Sequence, residues 1–551
     1  MVMGMDTGTV MGRMNARLKR LLTAGSVFVG LLAGLEPAHV LAQQQQPMTG
    51  RPAGQLEGGA ATRLTDPDLQ PTGPRQPMLR LGLLSSLSWS DNVDAESESP
   101  IEDWVLEVTP TLGLRREHGR LTGFLDARLR TQHYLHDDAR NTRYAVMNGS
   151  GALEAVKDAF FVDFDGRITR ENRSLLDGRG PGDGLSNRKE DETRDFSVGP
   201  RLQLRPFDLA DARLAYREIW QTGGGDFEQR RIGRVDVELI DEQPGGRVDW
   251  AMVFFREHAR YDDDARPDVL QQRWLGLLGY RPLEMLRLYG GGGVEWNEFD
   301  LGERQRDDIL MVGGEWLPSP RTRLHAQVLE RFFGTGYDFE LTHRRPRSAW
   351  TLSARRDVSS ALDDRPGVRE GQLYQQYYAS LGHLSDPAQR ELEARRRVEE
   401  DMSAQAGRFA SNNYFVEQAW RAALVMNGRR DILTLGYRYS ERTRLGAPVE
   451  RDGRDDFREY ERIDDQALSL GLSHRLTPLS SASLVVVRSR AEGRGQRSER
   501  TDRWLVSMGL NSRLGEHATG SLIYRYSQAD SMGDASDYTE NSVTASLGIR
   551  F

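Results

Sequence analysis

Two histidines and two aspartates crowd into one short stretch: His133, His136, Asp137 and Asp138. Imidazole beside carboxylate is the pairing that serves general-base catalysis or metal binding. A hydrolase would also need a nucleophile, held close to a histidine and its orienting group. The spacing argues against this, because on a strand residues 133 and 136 point to opposite faces. The remaining histidines are dispersed, with His118, His343 and His517 near short turns and His258 and His383 near longer connections. The 551 residues include no cysteine, which excludes thiolate nucleophiles, thiolate metal sites and disulfides together. No catalytic residue, metal ligand or cofactor is assigned.

Other polar groups invite weaker readings. Asp262-Asp263-Asp264, Asp177 with Asp183, and Asp452 with Asp455 and Asp456 bring oxygen ligands into loops. None has the spacing of a calcium loop, so solvated loops are the simpler account. Gly290 to Gly293 lie between Tyr289 and Val294-Glu295-Trp296, flanks that read as strand. A phosphate loop would need a following helix. Four glycines here instead allow a plug or a neighbouring side chain to approach a wall. All but three of the 74 basic residues are arginine. Arg213, Arg217, Arg438, Arg525 and Arg550 fall on the polar faces of their segments and are the candidate lumen-lining residues. Their field would favour anionic solutes, unless carboxylates on adjacent strands cancel it in an internal salt-bridge network.

The elements that must carry these residues are strands. From residue 79 to residue 551 apolar and polar residues alternate with a period of two, as in Leu433-Thr-Leu-Gly-Tyr-Arg-Tyr439 and Leu522-Ile-Tyr-Arg-Tyr526. The chain closes on Val543, Ala545, Leu547, Ile549 and Phe551, separated by small or polar residues. A soluble sandwich also alternates, but Tyr and Trp near apolar strand ends match the aromatic girdles of membrane barrels. The charged fraction is 28% and the mean hydropathy −0.61, and after the N-terminus no apolar run is long enough for a membrane helix. A lumen-facing polar half is compatible with these values. The net charge of −8 makes nucleic acid an unsuitable partner.

Arg13, Arg17, Lys19 and Arg20 precede an apolar stretch, Leu21 to Leu35, and a small-residue cleavage pattern at Val40-Leu41-Ala42. Residues 1–42 therefore read as a signal peptide. Residues 43–78, rich in Gln, Gly, Pro and Thr, read as a disordered periplasmic tail. The remainder, 79–551, is expected to form a transmembrane up-and-down antiparallel β-barrel, all-β, of about 22 strands within a range of 18–24. Reading back from Phe551, every second connection is tight, including Arg513–His517, Asn427–Arg430, Arg281–Glu284 and Lys157–Asp158. The alternate ones, 92–102, 172–192, 299–307, 359–411, 443–460 and 491–500, are longer and polar, as external loops are. Within the long loop 359–411, Asp386-Pro387 and the pairs Glu391/Arg395 and Glu393/Arg397 predict a short helix over about 387–405. Pro110 and Pro200 sit inside strand-like runs and should interrupt the ladder.

The stretch Leu87-Ser-Trp-Ser-Asp-Asn-Val93, followed by Asp103-Trp-Val-Leu-Glu-Val-Thr-Pro-Thr-Leu-Gly-Leu114, resembles the opening hairpin of an outer-membrane barrel family of PEP-CTERM/exosortase systems. Related porin-like barrels of exopolysaccharide loci open similarly. Ser385-Asp-Pro-Ala-Gln-Arg390, Tyr414 and Ala419–Met426 resemble a later segment of that family. The resemblance implies a non-enzymatic passage or assembly role at the surface of a Gram-negative bacterium, associated with exopolysaccharide production or export. The implied partners are outer-membrane lipid and lipopolysaccharide, the barrel-assembly machinery, and exopolysaccharide or its export components. Phe551, with Ile549 and Leu547, matches the signal that the assembly machinery reads. A general porin-like channel is the alternative, and an outer-membrane hydrolase a more distant one.

Overall fold

The computed structural model describes residues 79–551 except 117, 173, 177–184, 186–189, 207–209, 224–228, 242–245, 263–265, 300–303, 361–410, 412, 447–454, 496 and 534–536. The signal-peptide and tail segments and the helix expected over 387–405 lie outside the described residues.

Alternating side chains and two-residue turns favour meandering antiparallel strands, and the described residues form 22 of them. The strands used below are β1 (Leu79–Ser90), β2 (Asp103–Arg116), β3 (Leu121–Tyr134), β4 (Thr142–Val156), β5 (Phe160–Asn172), β6 (Glu190–Leu204), β7 (Asp211–Gly223) and β8 (Arg230–Asp241). They continue with β9 (Val248–Tyr261), β10 (Val269–Leu283), β11 (Leu286–Glu298), β12 (Gln305–Ser319), β13 (Thr322–Arg331), β14 (Gly334–Arg345), β15 (Ser348–Ser360) and β16 (Tyr414–Asn427). The last are β17 (Asp431–Arg444), β18 (Tyr460–Arg475), β19 (Ser480–Gly495), β20 (Ser498–Arg513), β21 (Ala518–Met532) and β22 (Tyr538–Arg550).

Each strand pairs with the next, and β22 closes on β1 from Arg550↔Gly82 to Ser542↔Ser90. The Phe551 N–H donates to the Leu81 carbonyl at 2.9 Å. Closure leaves no free edge, so every strand has two neighbours. The fold is an all-β, up-and-down antiparallel barrel. The connections at the end holding the final residue span two to six residues, as the sequence predicts.

The opposite end departs from expectation at 491–500. There β19 runs to Gly495 and β20 starts at Ser498, with Ala491↔Thr501 in register. The charges that look like loop are a paired ribbon: Arg490 Nε meets Asp502 at 2.6 Å and Arg494 Nε meets Glu492 at 2.9 Å. Pro110 and Pro200 break pairing on one side only. β2–β3 pairing lapses between Val108 and Thr111, and β6–β7 pairing between Val198 and Arg201, in both cases without a change of register.

Outward residues such as Leu214, Trp274, Leu278, Leu468, Trp504 and Leu522 are exposed, whereas their inward neighbours, among them Arg213, Arg273, Ser469, Arg503 and Ser521, are buried or half-buried. A soluble protein would cover that belt, and a bilayer solvates it. Among the described residues no helix is long and apolar enough to cross a membrane.

Candidate functional site in the barrel interior

The inner wall has two unlike halves, and residue size decides the difference. From β17 through β22 to β1 the inward positions are mostly small: Gly436, Ser440, Ser469, Gly471, Ser483, Ser507, Gly509, Ser521, Ser546 and Ser86. Their hydroxyls bond across the ladder, as in Ser88 with Thr544 at 2.9 Å and Ser521 with Ser546. Such residues leave the lumen unfilled on this side.

From β5 to β16 many inward residues are large and pair with one another. Arg287 Nε reaches Asp249 at 2.9 Å, two strands away. Arg331 donates to Glu295 at 2.8 Å and also to Asp357, joining β11, β13 and β15. Arg201 holds Asp163 through two bonds of 2.7 and 3.0 Å. Bonds that skip a strand require a sharply curved wall with a small residue between. Gly279 lies between Asp249 and Arg287, and a Cβ there would overlap the Asp249 carboxylate. At Gly291 and Gly293 a Cβ would overlap the carbonyl oxygens of Gly276 and Trp274 on β10. The glycine run is thus a crease in the wall. It lets Leu275 and Leu277 pack over β11 against Ile309, Met311 and Leu329.

These creases fold the wall onto itself near the long-connection end. Tyr414 Oη on β16 donates to Glu257 on β9 at 2.8 Å. In a regular 22-stranded cylinder of roughly 22 Å radius, strands seven apart would face each other across roughly 35 Å. The two walls therefore converge here. Ile219, Ile232, Ala259 and Val269 of one wall pack with Val358 and Tyr414 of the other, edged by Phe299, Phe332 and Phe333.

The mouth of the small-residue half is crossed by residues 174–176 of the β5–β6 connection. Leu175 and Leu176 are buried with Phe415, Phe457, Tyr460 and Ile463. Thr501 Oγ1 donates to the Leu176 carbonyl and Arg503 Nη2 to the Leu175 carbonyl, each at 2.6 Å. The Leu175 N–H donates to Asp456 Oδ2 at 2.7 Å. Asp456 opens a four-residue helical turn, α1 (Asp456–Glu459), capped by Asp455, which also accepts from Ser411 and Asn413. These two aspartates are loop anchors rather than solvated charges.

Burial pushes the Asp456 carboxyl up to about 7, and Asp455 and Glu499 push the same way against the lowering by Ser174 and the Leu175 N–H. Released into water, it would return towards its ordinary value of 3.8. The docked form therefore holds a proton that the released form loses. Docking is strongest at or below about pH 4, weakens by about 1.4 kcal/mol per unit as pH rises towards 7, and is level above. Amide exchange at 174–176 should accordingly rise from pH 5 to pH 7 beyond the intrinsic increase. Asp456→Asn should flatten that dependence.

The arginines singled out from sequence occupy different settings. Arg438 pairs with Asp465, which Arg442 also meets at 2.8 Å. Arg217 lies 3.4 Å from Asp165, and Arg213 stands opposite Glu238 in the register. Arg525 stands between Ser507 and Ser542 on the small-residue wall, and Arg550 is exposed at the tight-turn end. At the closing strand, Leu547 and Phe551 are exposed on the outer face, and Ile549 is half-buried on that face. His136 Nδ1 lies 2.8 Å from buried Asp103, His258 Nε2 3.1 Å from Asp268, and His474 Nδ1 2.6 Å from Asp431. Thr322 meets His343 at 2.9 Å, but the other nitrogen of that ring faces Arg345, not a carboxylate. None of these contacts links hydroxyl, imidazole and carboxylate in series. Among the described residues no three His, Asp or Glu side chains gather as metal ligands.

Sequence reasoning missed Arg331 with Glu295 and Asp357, the Tyr414–Glu257 bond and the Leu175-Leu176 dock. Acid and base on alternate positions of β11, β13 and β15 were visible, but pairing across two strands depends on wall curvature.

No protein-family model and no curated protein matches the chain. Solved structures similar to it include the FrpB iron transporter from Neisseria meningitidis, at 8% identity and TM-score 0.49, covering 87% of this chain and 83% of that one. The siderophore receptor PirA from Pseudomonas aeruginosa is 9% identical with TM-score 0.42, covering 87% and 81%. The closed ladder, the apolar outer belt and the polar interior together make this chain an outer-membrane-type β-barrel of 22 strands.

Proposed function

We propose that the chain is a gated, non-enzymatic passage in the outer membrane of a Gram-negative bacterium, serving exopolysaccharide export or assembly. The observation that carries this reading is the asymmetry of the lumen. One half closes on itself through ion pairs. The other is lined with small hydroxyl and glycine positions, and its mouth is crossed by the docked Leu175-Leu176 segment. Hydroxyls that both donate and accept suit a hydroxyl-rich polymer, which can exchange one such bond for the next. The resemblance of the opening hairpin to barrels of exosortase systems supports the same class of cargo. Inserted through the barrel-assembly machinery by way of Leu547, Ile549 and Phe551, the protein would meet lipopolysaccharide outside and export components inside.

The test is conductance of the refolded protein in a planar bilayer, intact and with Leu175 and Leu176 both changed to serine, which loosens the dock at the mouth. The intact barrel should be nearly silent, and the variant should conduct and be blocked by an added acidic polysaccharide. Large steady conductance from the intact barrel would favour the general porin. Silence from both folded forms would refute a passage.

A further inference from the structure

On the outer surface of β18–β20, Arg462, Arg490, Arg494 and Arg500 each meet a carboxylate directly. Arg462 meets Asp464 and Glu441 at 2.9 and 2.8 Å, and Arg490 and Arg500 share Asp502 at 2.6 and 2.7 Å. The outer surface of β7–β9 is different. Register brings Arg231 beside Arg260, with Arg256 two rows nearer the belt. All three are exposed and face outward, because their neighbours Ile232, Glu257 and Ala259 are buried inward. They border a cleft of about 250 Å³ whose floor is Gly233. A Cβ at Gly233 would lie 3.5 Å from Tyr216 Oη and 3.6 Å from Glu218, so the absent side chain is what opens the space.

The cleft keeps a charge surplus. Its one carboxylate, Glu218, accepts from Tyr216 and Arg231, which accounts for one guanidinium. His258 is engaged by Asp268. Arg256 and Arg260 form no ion pair among the described residues. Among the described residues two guanidiniums are thus left without a carboxylate of their own, directly above lipid-facing apolar surface. Phe254 and Trp274 lie just below Arg256, with ring centroids 4.4 Å apart, and Met252 and Leu278 continue the belt. Exposed Trp220, opposite Arg231 in the register, suits the headgroup level. This is the end with the long connections, where the outer leaflet lies.

We propose that this cleft binds the phosphorylated headgroup of an outer-leaflet glycolipid, with Arg256 and Arg260 on a phosphate and the acyl chains over Phe254 and Trp274. Guanidinium forks match phosphate oxygens two at a time, and the apolar belt supplies the second contact that a free anion would lack. The inference rests on the barrel's place in the membrane and is independent of what passes through the lumen.

Native mass spectrometry of the full barrel in detergent, incubated with diphosphoryl lipid A, tests this. One lipid should be retained preferentially, and Arg256→Gln with Arg260→Gln should lower its retention about tenfold or more. Arg490→Gln with Arg500→Gln removes the same charge from the opposite wall and should leave retention unchanged. Fully dephosphorylated lipid should be retained as weakly by the parent barrel as by the Arg256/Arg260 variant. Equal losses from both arginine pairs, or no loss from the first, would overturn the proposal. Inorganic phosphate competing at the lipid's own concentration would also overturn it, since the lipid would then contribute nothing. Unchanged heat-modifiable migration of each variant confirms that folded barrels are being compared, and Arg256→Gln and Arg260→Gln are each measured alone as milder changes.

Discussion

Valine in place of Gly293 is expected to prevent the barrel from assembling. A Cβ at this position would overlap the Trp274 carbonyl oxygen and come within 2.9 Å of the Leu275 Cα. Both are backbone atoms of a paired strand, so neither can swing aside as a side-chain tip would. Over-packing against movable side chains costs about 1–3 kcal/mol, and a backbone overlap should exceed that. The register Leu275↔Gly293 would have to open, releasing the apolar packing of Leu275, Leu277, Ile309 and Met311. Gly290→Ala is the matched control, because its Cβ would lie 3.6 Å from the nearest atom, the Met311 carbonyl oxygen. Heat-modifiable migration after expression should show folded protein for the control and little or none for Gly293→Val. Normal assembly of both would mean that the crease is not required.

Arg331→Met should cost about 3–5 kcal/mol of stability, the range for removing one partner of a buried ionic set. Glu295 is 1% exposed and Asp357 9%, and Arg331 is the cation that both contact. Without it two carboxylates remain in one small volume with buried Arg273 as the nearest cation. The loss should appear as a lowered urea midpoint followed by tryptophan fluorescence. Adding Glu295→Gln to Arg331→Met should recover part of it, because the carboxylate left, Asp357, still faces Arg273 and Arg355. If the double variant is no more stable than Arg331→Met, packing rather than uncompensated charge explains the loss.

The fold was legible because its signals are local. Alternation in Leu433–Tyr439 assigns faces, and connections such as Asn427–Arg430 mark reversals, with no knowledge of the third dimension. The error at 491–500 has a local cause too. Glu492, Arg494, Arg500 and Asp502 resemble a solvated loop in composition, but alternate with Ala, Gly, Ser and Thr and so extend the strands. The interior was less legible. Polar faces carrying Arg217 or Arg438 could be read, whereas their carboxylate partners are set by strand neighbours and by curvature. Gly290 to Gly293 signalled a close approach, and the wall that approaches proved to be β10 itself. The meeting of Tyr414 with Glu257 joins positions 157 residues apart and has no signature along the chain.

The division of the wall into two halves also has a mechanical consequence. Where Arg287, Arg331 and Arg201 tie inward side chains together, often across more than one strand, bending the wall would break buried charge pairs. Below its mouth, the Ser- and Gly-lined arc from β17 to β1 is tied mainly between neighbouring strands and has little bulk to displace. Lateral pressure from the bilayer, or a bulky chain threading the lumen, would deform that arc and leave the other in place. The barrel should behave less like a rigid pipe than like a stiff spine with one yielding side.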